Sequence, residues 1–148
     1  MEQTKVIYTL GTSNRSSKYF FSLLEDQGIR AIADMRRLPK SQRTPHFDEE
    51  EFKREAERLN IHYSWVGDLL GGFGNAIDES YRKGPAYLEG LEKIESLALG
   101  SPTALVCEER LPWKCHRFQI AQDLGQRKWQ VIHIIDRGNL WRPGNGRS

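Results

Sequence analysis

The sequence contains no long hydrophobic run. No stretch approaches the roughly 18 apolar residues that a membrane-spanning helix requires, so no membrane span is predicted. Cysteine is also scarce, with 2 in 148 residues. A chain of this length can bury a sizeable core, so two cysteines argue against a disulfide scaffold. The N-terminal residues do not have the pattern of a signal peptide. These absences predict a reduced, cytoplasmic location.

Neither positive nor negative charge predominates in the chain as a whole, because the net charge is only +2. This argues against tight, non-specific DNA binding, which needs many phosphate contacts. The charges are nevertheless uneven. Residues 36–43 contain four basic residues and no acidic one, and residues 137–148 contain three arginines and no acid. This uneven distribution is compatible with a local anion site on a surface that is not basic as a whole.

Apolar periodicity and turn residues predict strands that alternate with helices. Five strands are expected, at Lys5 to Leu10, Ile29 to Met35, Ile61 to Val66, Pro102 to Val106 and Trp129 to Ile135. Helices are expected from Ser16 or Ser17 to Gly28, from Asp48 onward, from Pro85 to Gly100 and from Cys115 to Leu124. The glycine-rich residues 67–84 predict a long loop of the kind that forms lids or binding loops. Residues 137–148 predict a flexible basic tail.

This alternation predicts one α/β domain over residues 1–136. The expected architecture is a three-layer α/β/α sandwich around a mostly parallel, five-stranded sheet of the Rossmann or flavodoxin kind. The carboxyl ends of its strands share one edge, and open α/β sheets bind their ligands there. The loops that meet at this edge begin near Gly11, Asp34, Gly67, Cys107 and Asp136.

Several motifs fall at these strand ends. They are Gly11-Thr-Ser-Asn-Arg-Ser16 after the first strand, Asp34-x-Arg36-x-x-Pro39-x-Ser41-x-Arg43-x-Pro45-His46-Phe47 after the second, Leu70-Gly71-Gly72 after the third, and Cys107-x-Glu109 with Cys115-His116-Arg117 after the fourth. Together they resemble the domain of unknown function 488 family, over nearly the whole chain up to Ile135. The resemblance implies the fold and the position of the site, but no established reaction. The chain departs from the family at Thr12, where many relatives carry His or Tyr, and at Phe73, where a basic residue is common.

Both cysteines lie in the segment that follows the fourth strand. Cys115 is expected near a helix start, beside Lys114 and Arg117. A helix N-terminus and flanking cations favour the nucleophilic thiolate, for which His116 is a candidate proton carrier. Cys107 is expected to point toward the same pocket, so a redox pair is one hypothesis and simple core packing is the other. Zinc needs three or four protein ligands and the chain has no Cys-x-x-Cys unit, so neither a metal nor another cofactor is predicted.

Two carboxylates, Glu109 and Asp34, follow strands of the same sheet. Near arginines their charged form is favoured, which suits a general base or a fixed hydrogen-bond acceptor. The alternative is that they only order those arginines.

Arginines converge on the same predicted edge. Planar guanidinium groups bind phosphate through paired hydrogen bonds, and loop N–H groups ahead of a helix add to an anion site. The expected anion-binding residues are Ser13, Asn14, Arg15, Arg36, Ser41, Arg43 and Arg117.

Three functions fit these residues. The first is an enzyme that acts on a phosphate-bearing substrate, a nucleotide or nucleic acid, and it is favoured because so many ionisable types share one edge. The second is a non-catalytic binding module for the same partners. The third is a thiol-based redox or sulfur-handling protein that uses Cys107 and Cys115. Binding alone tolerates Cys115→Ser, whereas the enzyme and thiol hypotheses do not.

Overall fold

Strands and helices alternate in the computed structural model of the chain, which describes residues 5–40, 42–71 and 77–142. The elements are β1 Val6–Gly11, α1 Ser17–Asp26, β2 Ala31–Asp34, α2 Glu49–Arg58, β3 His62–Trp65, α3 Gly67–Leu70, α4 Glu79–Arg82, α5 Pro85–Gly100, β4 Thr103–Cys107, α6 Arg117–Gln126, β5 Gln130–Asp136 and β6 Asn139–Trp141. Two short 3-10 helices, Pro45–Phe47 and Pro112–Lys114, precede α2 and α6. Among the described residues, no helix is both long and apolar enough to cross a membrane.

The strands form one sheet of six, in the order β3-β2-β4-β1-β5-β6. The neighbouring strands from β3 to β5 pair in parallel, and β6 pairs antiparallel with β5. The α/β class and the mostly parallel sheet are confirmed. The predicted count of five strands is wrong, because Asn139–Trp141, within the expected flexible tail, folds back as an edge strand. The order also differs from the Rossmann and flavodoxin orders, since β4 lies between β1 and β2.

Side chains that alternate along each strand enter two separate cores. Leu105 and Cys107 of β4 belong to a core with residues of α5 and α6. Ala104 and Val106 of the same strand belong to a core with residues of α1 and α2. Helices therefore pack against both faces of the sheet, and the carboxyl ends of β1 to β5 are left at one edge.

Two segments, residues 67–84 and the start of α6, differ from their sequence-based predictions. Within residues 67–84 the structure has the short helices α3 and α4 instead of a continuous loop, although residues 72–76 lie outside the described part of the chain. Helix α6 begins at Arg117 rather than Cys115. Cys115 directly follows the 3-10 turn at Pro112–Lys114 and has an extended backbone, with φ of −142° and ψ of 151°.

A close crossing of backbones fixes the loop that follows β4. A Cβ atom on Gly11 would lie 1.8 Å from the carbonyl oxygen of Glu109, so only glycine allows this approach. Beyond the strand ends, the N–H groups of Thr12 and Ser13 donate to the carbonyls of Cys107 and Glu108, each at 2.7 Å. The loop after β4 is thereby held against the loop after β1, and this contact builds the floor of the site.

Candidate functional site

The segment between β4 and α6 brings the two cysteines into contact. Cys107 ends β4 and Cys115 lies two residues before α6. Their Sγ atoms are 2.7 Å apart, and both are unbridged thiols. Cys115 is 7% exposed and Cys107 is 2% exposed, so the outer sulfur is that of Cys115. Two thiols in contact at a sheet edge have the placement that a redox pair requires.

Arg117 places a buried positive charge against these sulfurs. Its side chain is fully buried, with 0% exposure. Nη1 donates to Cys107 Sγ at 3.4 Å and to the carbonyl of Glu109 at 2.7 Å, and Nη2 donates to the carbonyl of Arg110 at 3.1 Å. No carboxylate of the described residues forms an ion pair with Arg117. Because a buried charge is costly without a partner, this cation favours an anion on a neighbouring sulfur.

The groups around the two sulfurs differ, and they shift the pKa values of Cys115 and Cys107 in opposite directions. The backbone N–H of Arg117, at the start of α6, donates to Cys115 Sγ at 3.4 Å, and His116 Nδ1 lies 3.6 Å from the same sulfur. The hydrogen bond from Cys107, together with His116 and the charge of Arg117, lowers the pKa of Cys115. Burial raises the pKa of Cys107. These surroundings therefore favour the thiolate at Cys115 and the protonated thiol at Cys107.

Two buried residues near the thiols, Thr9 and His133, were not predicted from the sequence as part of the site. Arg117 Nε donates to the hydroxyl of Thr9 at 3.3 Å, and that hydroxyl lies 2.6 Å from His133 Nδ1. Burial, with the nearby charge of Arg117, lowers the pKa of His133 to about 3. His133 is consequently neutral near pH 7 and shares a hydrogen bond with the Thr9 hydroxyl. Both residues sit inside apolar strands, where a sequence pattern does not separate a core residue from a supporting one.

Arg15, which was predicted to bind an anion, instead donates hydrogen bonds to acceptors within the protein. Its Nε donates to the carbonyl of Gly11 at 2.8 Å, Nη2 to that of Ile135 at 2.7 Å, and Nη1 to Asp136 Oδ1 at 2.8 Å. Arg110 Nη2 donates to the other oxygen of Asp136 at 2.6 Å. Asp136, which the sequence indicated only as a loop start, thus ties the loops after β1 and β4 to the end of β5.

Asp34 and Arg36 form a second internal unit. Asp34 is fully buried and accepts two hydrogen bonds of 2.9 Å from Arg36, through Nε and Nη2, and one of 2.5 Å from the Tyr63 hydroxyl. Arg36 Nη2 also donates to the carbonyl of Phe47 at 2.7 Å. This pair anchors the basic loop, so the geometry gives Asp34 a structural task.

The remaining predicted residues do not join the thiols. The side chains of Asn14, Arg43 and Glu109 are exposed, and only the backbone carbonyl of Glu109 contacts Arg117. The backbone N–H of Ser13 is used by Glu108. Ser41 lies outside the described residues. The structure therefore brings together Cys107, Cys115, His116 and Arg117, whereas it distributes the other predicted groups around the edge.

Within residues 5–40, 42–71 and 77–142, no group of three or more His, Cys, Asp or Glu side chains could hold a metal ion.

Comparisons with known proteins place the chain in a family but give no activity. Neither the curated proteins nor the solved structures include a match to this sequence. The profile of the family described as "Domain of unknown function DUF488" matches residues 16–124, which is more than half of the chain. That span includes both cysteines, His116 and Arg117. The resemblance expected from the strand-end motifs is thus confirmed, and the chain belongs to the DUF488 family.

Proposed function

We propose that this protein is a thiol redox protein whose Cys107–Cys115 pair cycles between a dithiol and a disulfide. The observation that carries the proposal is the 2.7 Å contact between the two sulfurs, beside the fully buried Arg117, which has no carboxylate partner among the described residues. A low-pKa thiolate next to a second thiol is the arrangement that supports reversible oxidation.

Each thiol has one part in the cycle. Cys115 is the nucleophile, because it is the more exposed sulfur and the one whose charged form is stabilised. Cys107 is the resolving thiol, which attacks the Cys115 sulfur after the first step. Oxidation removes two electrons from the pair and one proton from the Cys107 thiol, and the electrons pass to an acceptor. A dithiol, or two equivalents of a monothiol, returns them by thiol–disulfide exchange.

The contacts favour this function over an enzyme or binding module for phosphate-bearing substrates. Arg15, Arg36 and Arg117 each donate to acceptors of the protein itself. A phosphate would have to displace these acceptors, which would leave buried carbonyl or carboxylate groups without partners. The proposal also takes the fold to be a three-layer α/β/α sandwich, which the two cores on opposite faces of the sheet support.

Equilibration in redox buffers tests the proposal. The reduced protein is held in mixtures of reduced and oxidised glutathione until composition is constant, then acid-quenched and analysed by intact and peptide mass spectrometry. We expect one internal bridge between Cys107 and Cys115, in a reversible two-electron transition. Cys107→Ser and Cys115→Ser are matched controls that cannot form the bridge. A wild-type protein that stays a dithiol throughout, or that takes up glutathione independently on each cysteine, would contradict the proposal.

A further inference from the structure

We infer that the oxidant of this thiol pair is a small hydroperoxide, so that the protein is a thiol peroxidase. The inference rests on the proposed function and names the substrate class of the same site. It stands on three observations: the near-burial of both sulfurs, the buried arginine, and an unpartnered buried nitrogen of His116.

Access selects a small oxidant. Cys115 is 7% exposed and Cys107 is 2% exposed. Exchange with a disulfide requires the attacking sulfur to align with both substrate sulfurs and the groups they carry. A hydroperoxide needs only its terminal oxygen to reach Cys115 Sγ. Because Cys107 contacts that sulfur at 2.7 Å, an oxidant that arrives from the opposite side leaves its oxygen in line for displacement by Cys107.

The charges around the sulfurs suit cleavage of an O–O bond. As the Cys115 thiolate attacks, negative charge moves from sulfur to the departing oxygen. A buried cation that is not neutralised by a carboxylate stabilises that charge more strongly than it would in water. Arg117 is such a cation, since its guanidinium donates to Cys107 and to backbone carbonyls. The site is therefore built for an anionic transition state rather than for a bound phosphate.

His116 is placed to supply a proton. The His116 Nδ1 atom lies 3.6 Å from Cys115 Sγ, and His116 is only 6% exposed. Its Nε2 is buried and has no hydrogen-bond partner among the described residues. The imidazole thus lies beside Cys115 Sγ with a nitrogen that no described residue binds, so it is placed to pass a proton from that thiol to the departing oxygen.

Peroxide oxidises the pair in two steps. The Cys115 thiolate forms an S–O bond to the hydroperoxide as the O–O bond breaks, and the departing oxygen takes the proton from His116 to leave as an alcohol, or as water from hydrogen peroxide. Cys107 then attacks the Cys115 sulfenic acid. An S–S bond forms, the S–O bond breaks, and the hydroxide leaves as water with the Cys107 thiol proton. The dithiol has lost two electrons to the peroxide, and an external dithiol restores it.

Rates with two oxidants test the inference. Reduced wild-type protein is mixed with hydrogen peroxide or with oxidised glutathione, and disulfide formation is followed by acid quench and mass spectrometry. We expect the peroxide reaction at pH 7 to be about 100-fold faster than that of free cysteine, and the glutathione reaction to be slower than the peroxide reaction. In Cys107→Ser, dimedone should trap a sulfenic acid on Cys115. His116→Gln should slow the peroxide reaction, whereas Arg127→Gln, which breaks an ion pair with Glu95 away from the thiols, should not.

The outcomes separate the two proposals. If the pair forms a reversible disulfide in glutathione buffers but reacts with peroxide no faster than free cysteine, the peroxidase inference is overturned and the thiol redox function stands. The same holds if glutathione proves the faster oxidant. If neither oxidant gives an internal disulfide, both proposals fall. Dimedone trapping on Cys107 in Cys115→Ser, with none on Cys115 in Cys107→Ser, would reverse the assigned roles and also contradict the inference.

Discussion

Replacing Arg117 with methionine should lower the reduction potential of the Cys107–Cys115 pair by about 60 mV, a hundredfold change in the equilibrium constant. Arg117 has 0% exposure and donates to Cys107 Sγ through Nη1 and to Cys115 Sγ through its backbone N–H. Its charge stabilises the thiolate, which exists only in the reduced form. Without that charge the disulfide becomes relatively more stable, so the potential falls. Redox titration in glutathione buffers measures the change.

Two further variants guard this prediction against a simple loss of folding. Arg117→Lys keeps the positive charge but cannot supply the same set of donors, and it should give an intermediate potential. Arg127→Met, at the far end of α6, removes an arginine that pairs with Glu95 and should leave the potential unchanged. Equal potentials for the wild type and a folded Arg117→Met protein would show that the buried charge does not set the redox equilibrium.

Asp34→Asn should destabilise the fold by about 3–5 kcal/mol, because it leaves the buried Arg36 guanidinium without a charged partner. Asparagine keeps the shape of the side chain, and the Tyr63 hydroxyl that now donates at 2.5 Å retains an oxygen acceptor. Tyr63→Phe, the matched control, should cost less, about 1.5–3 kcal/mol, the contribution of one hydrogen bond to a charged group. Urea unfolding monitored by circular dichroism gives both values.

The same variant distinguishes a structural Asp34 from a catalytic one. We expect the folded fraction of Asp34→Asn to form the Cys107–Cys115 disulfide at the wild-type rate, since Asp34 bonds Arg36 and Tyr63 rather than the thiols. A stable Asp34→Asn protein that had lost thiol chemistry would instead support the general-base role that its position after β2 first indicated.

The sequence predicts where the site lies, but it does not predict which acceptors the arginines of the site bond. Alternating apolar runs place Gly11, Asp34 and Cys107 at carboxyl ends of parallel strands, and the parallel registers confirm this. The clustering of basic residues after these strands predicts an anion pocket, but the acceptors for Arg15 and Arg117 are largely backbone carbonyls from other loops. Backbone carbonyls are present at every position, so no side-chain pattern can identify which of them an arginine will use.

Short elements and supporting residues are the other part that the sequence does not predict. Strand β6 has only three residues, with just Leu140 half-buried between exposed neighbours, which is too little alternation to detect. The tight turn before it, where Gly138 has a φ of +73°, lies in a stretch whose composition is that of a tail. His133 lies in an apolar strand, and its link to Arg117 through Thr9 joins residues far apart in sequence.

The rate of Cys115 alkylation against pH tests most directly whether this cysteine is an activated thiolate. Reduced, folded protein is treated with iodoacetamide between about pH 4 and pH 10, and each cysteine is quantified by peptide mass spectrometry. Since the pKa of Cys115 is lowered and that of Cys107 is raised, the Cys115 rate should stay level well below the free thiol value of about 8.5 and fall only in acid. Cys107 should react slowly throughout this range. A Cys115 rate that rises tenfold per pH unit up to about pH 8.5, or two cysteines inert until the protein unfolds, would contradict the thiolate and the redox function built on it.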